Sequence, residues 1–148
     1  MKILIVYETK YGNTKIAAET IIEGVKDVPG TEAELYELGE IEINKIPEYD
    51  TILIGSPNHM GGPTRGVKKF IDALEKLNLE TKKVAVFDTY MGKDFEKAVK
   101  KMEKKLSEKA PALKQIAPGL SILVKGMKGP IPEEELPKCR EFGKTIAT

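Results

Sequence analysis

Hydroxyl and amide side chains gather directly after the first apolar run of the chain, where a helical pattern begins. The segment consists of Thr9, Lys10, Tyr11, Gly12, Asn13 and Thr14. Backbone N–H groups at a helix N-terminus bind anions, and hydroxyls beside them supply further donors. Capping a helix needs only one such side chain, and Gly12 lets the backbone approach an anion closely. The segment therefore predicts an anion site.

Two common nucleotide motifs are absent from this segment. It lacks the G-x-x-x-x-G-K-[ST] pattern of a Walker-type loop, and it lacks the G-x-G-x-x-G pattern that holds a pyrophosphate. The site is therefore predicted to take a single terminal phosphate.

A second loop of unusual composition follows another apolar run. Its residues are Ser56, Pro57, Asn58, His59, Met60, Gly61 and Gly62, followed by Pro63 and Thr64. An ordinary strand-to-helix turn needs one glycine and no Ser-Pro lead, so this loop favours a binding function. His59 is the only histidine of the chain and is interpreted most simply as an exposed loop residue. One histidine and one distant cysteine make no metal-ligand set, so we predict no metal site.

A third loop carries an aromatic residue with a polar end. Its residues are Asp88, Thr89, Tyr90, Met91 and Gly92, followed by Lys93. The apolar ring and wet hydroxyl of Tyr90 suit contact with a half-exposed planar ligand. The alternative is that Tyr90 only covers the end of a strand, and the sequence leaves this choice open.

Runs with strand character alternate with helical stripes along the whole chain. The strands are predicted at Lys2–Tyr7, Glu32–Glu37, Tyr49–Gly55, Lys82–Phe87 and Leu120–Val124. Apolar residues at helical spacing predict four helices, which begin with Ile16, after an N-cap at Thr64, with Phe95 and with Leu136. The last of these helices contains Cys139, which we interpret as a buried, inert thiol. The stretch Ile41–Ile46 can form at most a turn or two of helix.

This alternation indicates a parallel sheet covered by helices on both faces. Five β-α units in 148 residues suit the strand order 2-1-3-4-5, and we predict one α/β domain, a three-layer sandwich over residues 1–148. In such sheets ligands bind beyond the carboxyl ends of the strands. The three loops follow strands 1, 3 and 4, so we expect them to meet at one edge.

The overall composition excludes several kinds of partner. Lys and Arg number 24 against 23 Asp and Glu, so a net charge of +1 gives no strong field for nucleic acid. No stretch approaches the ~20 apolar residues of a membrane span, and the first residues lack a signal-peptide pattern. A single cysteine fits a reducing compartment. We therefore expect a cytoplasmic protein, and we also expect it to be a monomer.

The run Thr9-Lys10-Tyr11-Gly12-Asn13-Thr14 after an N-terminal strand resembles the FMN phosphate loop of flavodoxins. The resemblance implies that Thr9, Tyr11, Asn13 and Thr14 hold the phosphate. It also implies that residues 56–64 wrap one face and the N5 edge of the flavin, with the Gly61–Gly62 peptide flipping on reduction at no Cβ penalty. Tyr90 would stack on the other face, and backbone N–H groups of residues 88–92 would bind the pyrimidine edge.

The chain is also similar to the flavodoxin-like domain of flavo-diiron proteins, which carry GGP-containing loops like residues 61–63. The resemblance implies an electron carrier rather than a catalyst. Its FMN would pass single electrons through quinone, semiquinone and hydroquinone states between ferredoxin or flavoprotein reductases and oxidoreductases. Typical flavodoxins are strongly acidic, whereas this chain is nearly neutral, with His59, Arg65 and Lys93 predicted at the rim. We therefore expect the second electron to enter at a less negative potential.

Two other functions are compatible with a fold of this kind. An FMN-dependent NAD(P)H:quinone or flavin reductase on the same fold remains the alternative, although it needs a nicotinamide pocket and this compact chain shows no insertion to form one. A signalling receiver would need clustered acids after strand 1 to hold Mg²⁺, and Glu8 stands there alone.

Overall fold

The computed structural model describes residues 1–148 and places one β-sheet between two layers of helices. The strands are β1 (Lys2–Tyr7), β2 (Glu32–Glu37), β3 (Thr51–Pro57), β4 (Lys83–Tyr90), β5 (Lys114–Gln115) and β6 (Leu120–Leu123). The α-helices are α1 (Asn13–Lys26), α2 (Arg65–Leu74), α3 (Lys97–Lys109) and α4 (Leu136–Ala147), with 3₁₀ turns at Ile43–Glu48 and Glu133–Glu135. None of these helices combines the length and the apolar character that crossing a lipid bilayer requires.

All strand pairs are parallel, and the order β2-β1-β3-β4-β5 confirms the predicted topology. The predicted fifth strand corresponds to β6, and the two-residue strand β5 before it was not predicted; both pair with β4. Pro118 lies between them and has no N–H to donate to the ladder. A side chain at the neighbouring Gly119 would overlap Val99, so the chain must pass α3 closely at this point.

The central strands bury side chains on both faces, which explains why their sequences are apolar throughout. On β1, Leu4 and Val6 pack into a cluster with α2 and α3, whereas Ile3 and Ile5 pack into a second cluster with α1 and α4. Cys139 belongs to the second cluster, and burial raises the pKa of its thiol to about 12. The prediction of a buried thiol is confirmed, and the raised pKa favours its unreactive protonated form.

Several details of the predicted elements are wrong. The third strand was predicted at Tyr49–Gly55, whereas β3 covers Thr51–Pro57. Ile16 is exposed, because the buried face of α1 is formed by other positions that include Thr14, Ala17 and Ala18. Phe95 is exposed because α3 begins only at Lys97. The strand predicted to end at Phe87 continues to Tyr90, since residues 87–90 pair with β6 and residues 83–89 pair with β3.

Helices α1 and α4 touch backbone to backbone through two glycines. A Cβ at Gly24 would overlap the carbonyl oxygen of Arg140, and a Cβ at Gly143 would overlap that of Ile21. Both glycines lie on the buried faces of their helices, but only the structure shows that the opposing groups are rigid backbone. The close packing of α1 against α4, which together cover one face of the sheet, therefore requires that residues 24 and 143 have no side chain.

We predict that Gly143→Ala lowers the free energy of unfolding by about 1–3 kcal/mol, measured by urea denaturation. Replacing glycine by alanine inside a helix normally stabilises it by about 1 kcal/mol, so the expected sign is reversed. The control is Gly66→Ala in α2, where the atoms nearest to the added methyl are side-chain ends of Glu8 and Leu38, which can rotate away. Equal stability of the two variants would contradict this account of the α1–α4 contact.

Candidate functional site

A cleft of about 320 Å³ opens at the carboxyl ends of the central strands, where the three predicted loops meet. Twelve of the predicted binding residues line it: Thr9, Lys10, Tyr11, Asn13, Thr14, Pro57, Asn58, His59, Met60, Thr89, Tyr90 and Met91. The cleft therefore brings together the loops after β1, β3 and β4, as the strand order requires. Its volume lies at the lower end of the roughly 300–1,000 Å³ typical of small-molecule sites.

Six other predicted residues lie outside the lining: Gly12, Ser56, Gly61, Gly62, Asp88 and Gly92. Several of them shape the loops instead. Ser56 is buried, and its hydroxyl oxygen accepts the Thr64 N–H at 3.0 Å while the hydroxyl donates to the Pro57 carbonyl at 2.9 Å. Gly12 donates its N–H to Thr9 Oγ1 at 2.9 Å. Direct ligand contact by these six residues stays a prediction.

The start of α1 presents free donors to the cleft. Gly12 has a φ of +91°, which turns the chain into the helix, and no side chain caps the helix. The N–H groups of Asn13, Thr14 and Lys15 consequently have no acceptor within the protein. Thr9 Oγ1 accepts from Gly12 and keeps its own proton for donation. This arrangement offers several unpartnered donors at a helix N-terminus, which is the chemistry that a terminal phosphate or another small anion requires.

The second loop folds back on itself in a tight turn. The His59 N–H donates to the Gly62 carbonyl at 2.7 Å, and the Gly62 N–H donates to the His59 carbonyl at 3.1 Å. Met60 and Gly61, the two residues between, both have positive φ, at 51° and 80°, which is typical of a type I′ turn. The central peptide is therefore Met60–Gly61, one residue before the predicted Gly61–Gly62 peptide. Met60 carries a Cβ at a positive φ, a conformation that L side chains rarely adopt, and the flip expected at the Gly61–Gly62 peptide stays a prediction.

Tyr90 forms one wall of the cleft. Its ring packs edge to face against Phe95, with the ring centroids 5.4 Å apart, and burial raises the pKa of its hydroxyl. The alternative that Tyr90 only covers a strand end does not describe its position, because the residue faces the cavity. His59 lines the cleft on the opposite loop and is exposed, as predicted.

Besides Thr64 at the end of the second loop, the cleft contains four residues that sequence reasoning missed: Asp94, Val124, Gly126 and Met127. Three of them belong to the loop after β6, which opens to the same edge because β6 pairs with the end of β4. Tyr11 donates its hydroxyl proton to Met127 Sδ at 3.4 Å, so this loop closes against the first one. The glycines at 126 and 129 after the last strand were a usable signal for a fourth binding loop.

Asp94 joins the second and third loops. Asn58 donates its side-chain N–H to Asp94 Oδ2 at 2.8 Å, and Lys97 forms an ion pair with Asp94 at 3.0 Å. The rim charges predicted at Arg65 and Lys93 are not part of the cleft lining, whereas the Asp94 carboxylate is. The electrostatic surroundings of the site are therefore more balanced than the sequence suggested.

Asp88 has a structural role, although the sequence analysis placed it in the third binding loop. Its side chain is fully buried, and its carboxylate accepts the Ser121 hydroxyl proton at 2.6 Å and the Val99 N–H at 3.0 Å. It thus holds the first turn of α3 against β4 and β6. Burial raises the pKa of Asp88 to about 6 and outweighs these hydrogen bonds, which act to lower it.

The raised pKa of Asp88 predicts a pH-dependent stability. Between about pH 4 and pH 6 the folded chain holds a proton that the unfolded chain has lost. The stability contributed by this proton is therefore present below pH 4 and is lost as the pH rises through 6, by about 3 kcal/mol. The measurement is urea denaturation of the wild type and of Asp88→Asn at pH 4, 5, 6 and 7. We expect the difference between their free energies of unfolding, wild type minus variant, to fall as the pH rises. A difference that does not change with pH would contradict the assignment.

Comparison with known proteins gives a consistent result. The family model described as flavodoxin domain matches residues 4–121. A flavodoxin of Aquifex aeolicus is 37% identical over 71 residues, covering 48% of this chain and 38% of that protein. A flavodoxin of Clostridium saccharobutylicum is 35% identical over 89 residues, covering 60% and 56%. The matched segments thus span less than two thirds of either relative.

Solved structures extend the likeness to the whole chain. Flavodoxin 2 from Bacillus cereus superimposes with a TM-score of 0.83 at 30% identity, covering 99% of this chain and 98% of that one. A rubredoxin oxygen:oxidoreductase from Desulfovibrio gigas shares the fold alone, with a TM-score of 0.79 and 20% identity over 99% of this chain and 35% of that one. A protein of Geotalea daltonii named NAD(P)H dehydrogenase (quinone) is 29% identical over 97 residues, covering 49% and 47%.

Proposed function

The chain belongs to the flavodoxin domain family, and on that premise we propose that it binds one FMN in the cleft and carries electrons between redox proteins. The observation that carries this proposal is the free N-terminus of α1. Its unpartnered N–H groups at residues 13–15 and the Thr9 hydroxyl form a phosphate site at one end of a cleft walled by Tyr90.

The residues present fit such a ligand. The phosphate would lie on the N–H groups of Asn13, Thr14 and Lys15, and Lys10 is exposed beside them. The ring system would lie between Tyr90 and the turn at residues 59–62. Thr14 and Thr89 share a hydrogen bond of 2.9 Å that fixes the floor between these two regions. Bound FMN supplies reversible electron transfer, and the chain supplies binding, orientation and the local field.

The charges around the cleft influence how readily negative charge is added to the ligand. The Asp94 carboxylate disfavours such addition, and its ion pair with Lys97 offsets this effect in part. Lys10 and His59 line the cleft without a carboxylate partner. The near-neutral chain therefore still supports the proposal of a less negative second reduction potential than acidic family members have.

We also propose that residues 1–148 act as one domain, as a cytoplasmic monomer with other redox proteins as its partners. Two core clusters shared by one sheet support the single domain. The buried thiol of Cys139 and the lack of any disulfide suit a reducing compartment.

The first prediction for this function concerns the complete protein with FMN. We expect stoichiometric FMN binding, followed by two separate one-electron steps in an anaerobic titration with dithionite monitored by absorbance. NADPH alone should leave the flavin oxidised. A protein that does not bind FMN would refute the assignment of the cleft.

A second candidate is an FMN-dependent NAD(P)H:quinone reductase, favoured by the relatives that carry the name NAD(P)H dehydrogenase (quinone). The two candidates differ in the same titration. Rapid bleaching of the flavin by NADPH in a single two-electron step would replace the electron carrier with the reductase.

The phosphate site makes a separate prediction. Thr9→Val should weaken FMN binding by roughly 10- to 100-fold, because a hydrogen bond to a charged group contributes about 1.5–3 kcal/mol. Riboflavin, which lacks the phosphate, should bind with unchanged affinity in fluorescence titrations. Thr9→Ser keeps the hydroxyl and serves as the control. An equal loss of affinity for FMN and riboflavin would show that Thr9 acts on loop structure instead.

A further inference from the structure

The nearly zero net charge of the chain conceals a strong segregation of charge. Residues 1–64 contain 5 Lys and Arg against 11 Asp and Glu, whereas residues 65–128 contain 16 against 8. The first half of the sheet and its edge strand β2 are therefore acidic, and the half with α2 and α3 is basic. The basic half has a field that the total charge does not reveal.

Part of this positive charge lies beside the candidate flavin cleft. A groove, here named the α3 groove, is lined by Met60, Gly61, Phe95, Glu96, Lys97, Lys100 and Lys101. Lys101 lies across the tight turn of the second loop, where a Cβ at Gly62 would come 3.1 Å from Lys101 Cδ. Lys97 is paired with Asp94, whereas Lys100 and Lys101 form no ion pair. Glu96 is the one acid in the lining, so the groove is positive.

The α3 groove also exposes large apolar groups. The Met60 side chain is 90% exposed, and Phe95 is 55% exposed. Phe95 packs its ring against Tyr90, which lines the cleft, so the groove and the cleft share a wall. A flexible thioether and an aromatic ring surrounded by lysines are the composition of a protein-binding surface. Lysines that served only to keep the protein in solution would not need exposed apolar side chains beside them.

We propose that the α3 groove binds a redox protein whose acidic surface lies next to that partner's own cofactor. This inference rests on the proposed function and gives the partner its chemistry. Lys100 and Lys101 attract the acidic surface and steer the encounter. Met60 and Phe95 supply the apolar contact at the centre. The docked partner would then lie directly beside the wall formed by Tyr90.

The test uses the FMN-loaded protein and an acidic ferredoxin as the probe. In stopped-flow mixing, one electron leaves the reduced iron–sulfur cluster and enters the flavin, and no covalent bond is broken. We expect the second-order rate constant to fall as ionic strength rises. Lys100→Glu with Lys101→Glu should lower the rate at low salt by about tenfold or more and weaken its salt dependence.

The matched control is Lys76→Glu with Lys114→Glu. These exposed lysines also form no ion pair, and they lie at the opposite end of the sheet from the cleft. The control changes the net charge by the same amount, so it should leave the rate nearly unchanged. Equal slowing in both double variants would overturn the docking site, as would a wild-type rate that does not depend on salt. Phe95→Ser should slow transfer at high salt, where the charges are screened.

Two further measurements distinguish this docking proposal from a failure of the proposed function and from nucleic-acid binding. FMN loading is checked by absorbance before mixing, so failure of the proposed function is visible in advance. Calorimetric titration of the FMN-free protein with ferredoxin then still measures docking. If the lysines instead bind nucleic acid, a duplex DNA probe will bind with strong salt dependence, and the Lys100/Lys101 variant will lose that binding but keep its ferredoxin rate. That outcome would overturn the proposal.

Discussion

The in-register parallel pairing of the central strands is the constraint on which the rest of the structure depends. Tyr7 of β1 pairs with Gly55 of β3, which pairs with Phe87 of β4, which pairs with Leu120 of β6. Gly55 is part of this constraint, because a Cβ there would overlap the Phe87 ring. Since parallel strands all end at one edge, four loops emerge together, and the cleft is a consequence of the topology.

Side-chain hydrogen bonds then fix the loops relative to one another. The Thr14–Thr89 bond joins the first and third loops, and the Asn58–Asp94 bond joins the second and third. Asp88 and Ser121 perform the same task one layer deeper, where they hold α3 to the sheet. With this framework in place, the N-terminus of α1 can leave its N–H groups free for a ligand. These unpartnered N–H groups cost little free energy because they face an open cleft and not the core.

The strand order, the helices on both faces and most of the cleft could be predicted from the sequence, because apolar periodicity and loop chemistry are local signals. The structure departs from the prediction where the deciding contact is not local. Asp88 is polar yet continues β4, because its carboxylate has partners at Ser121 and Val99 that no sequence window contains. The loop after β6 was missed because its place at the cleft depends on pairing with the end of β4. The backbone conformation of Met60 could not be predicted, since glycines stand beside it and are the usual residues at positive φ.

The central claim is that FMN binds with its phosphate on the start of α1 and its ring between Tyr90 and the turn at residues 59–62. The most direct test is a ¹H–¹⁵N correlation spectrum of the protein recorded with increasing FMN. The account predicts that the largest shifts occur at the amides of residues 13–15, 59–62 and 90–91, and that riboflavin shifts the last two groups but not the first. Shifts confined to other parts of the chain, or no shift at residues 13–15 with saturating FMN, would contradict it.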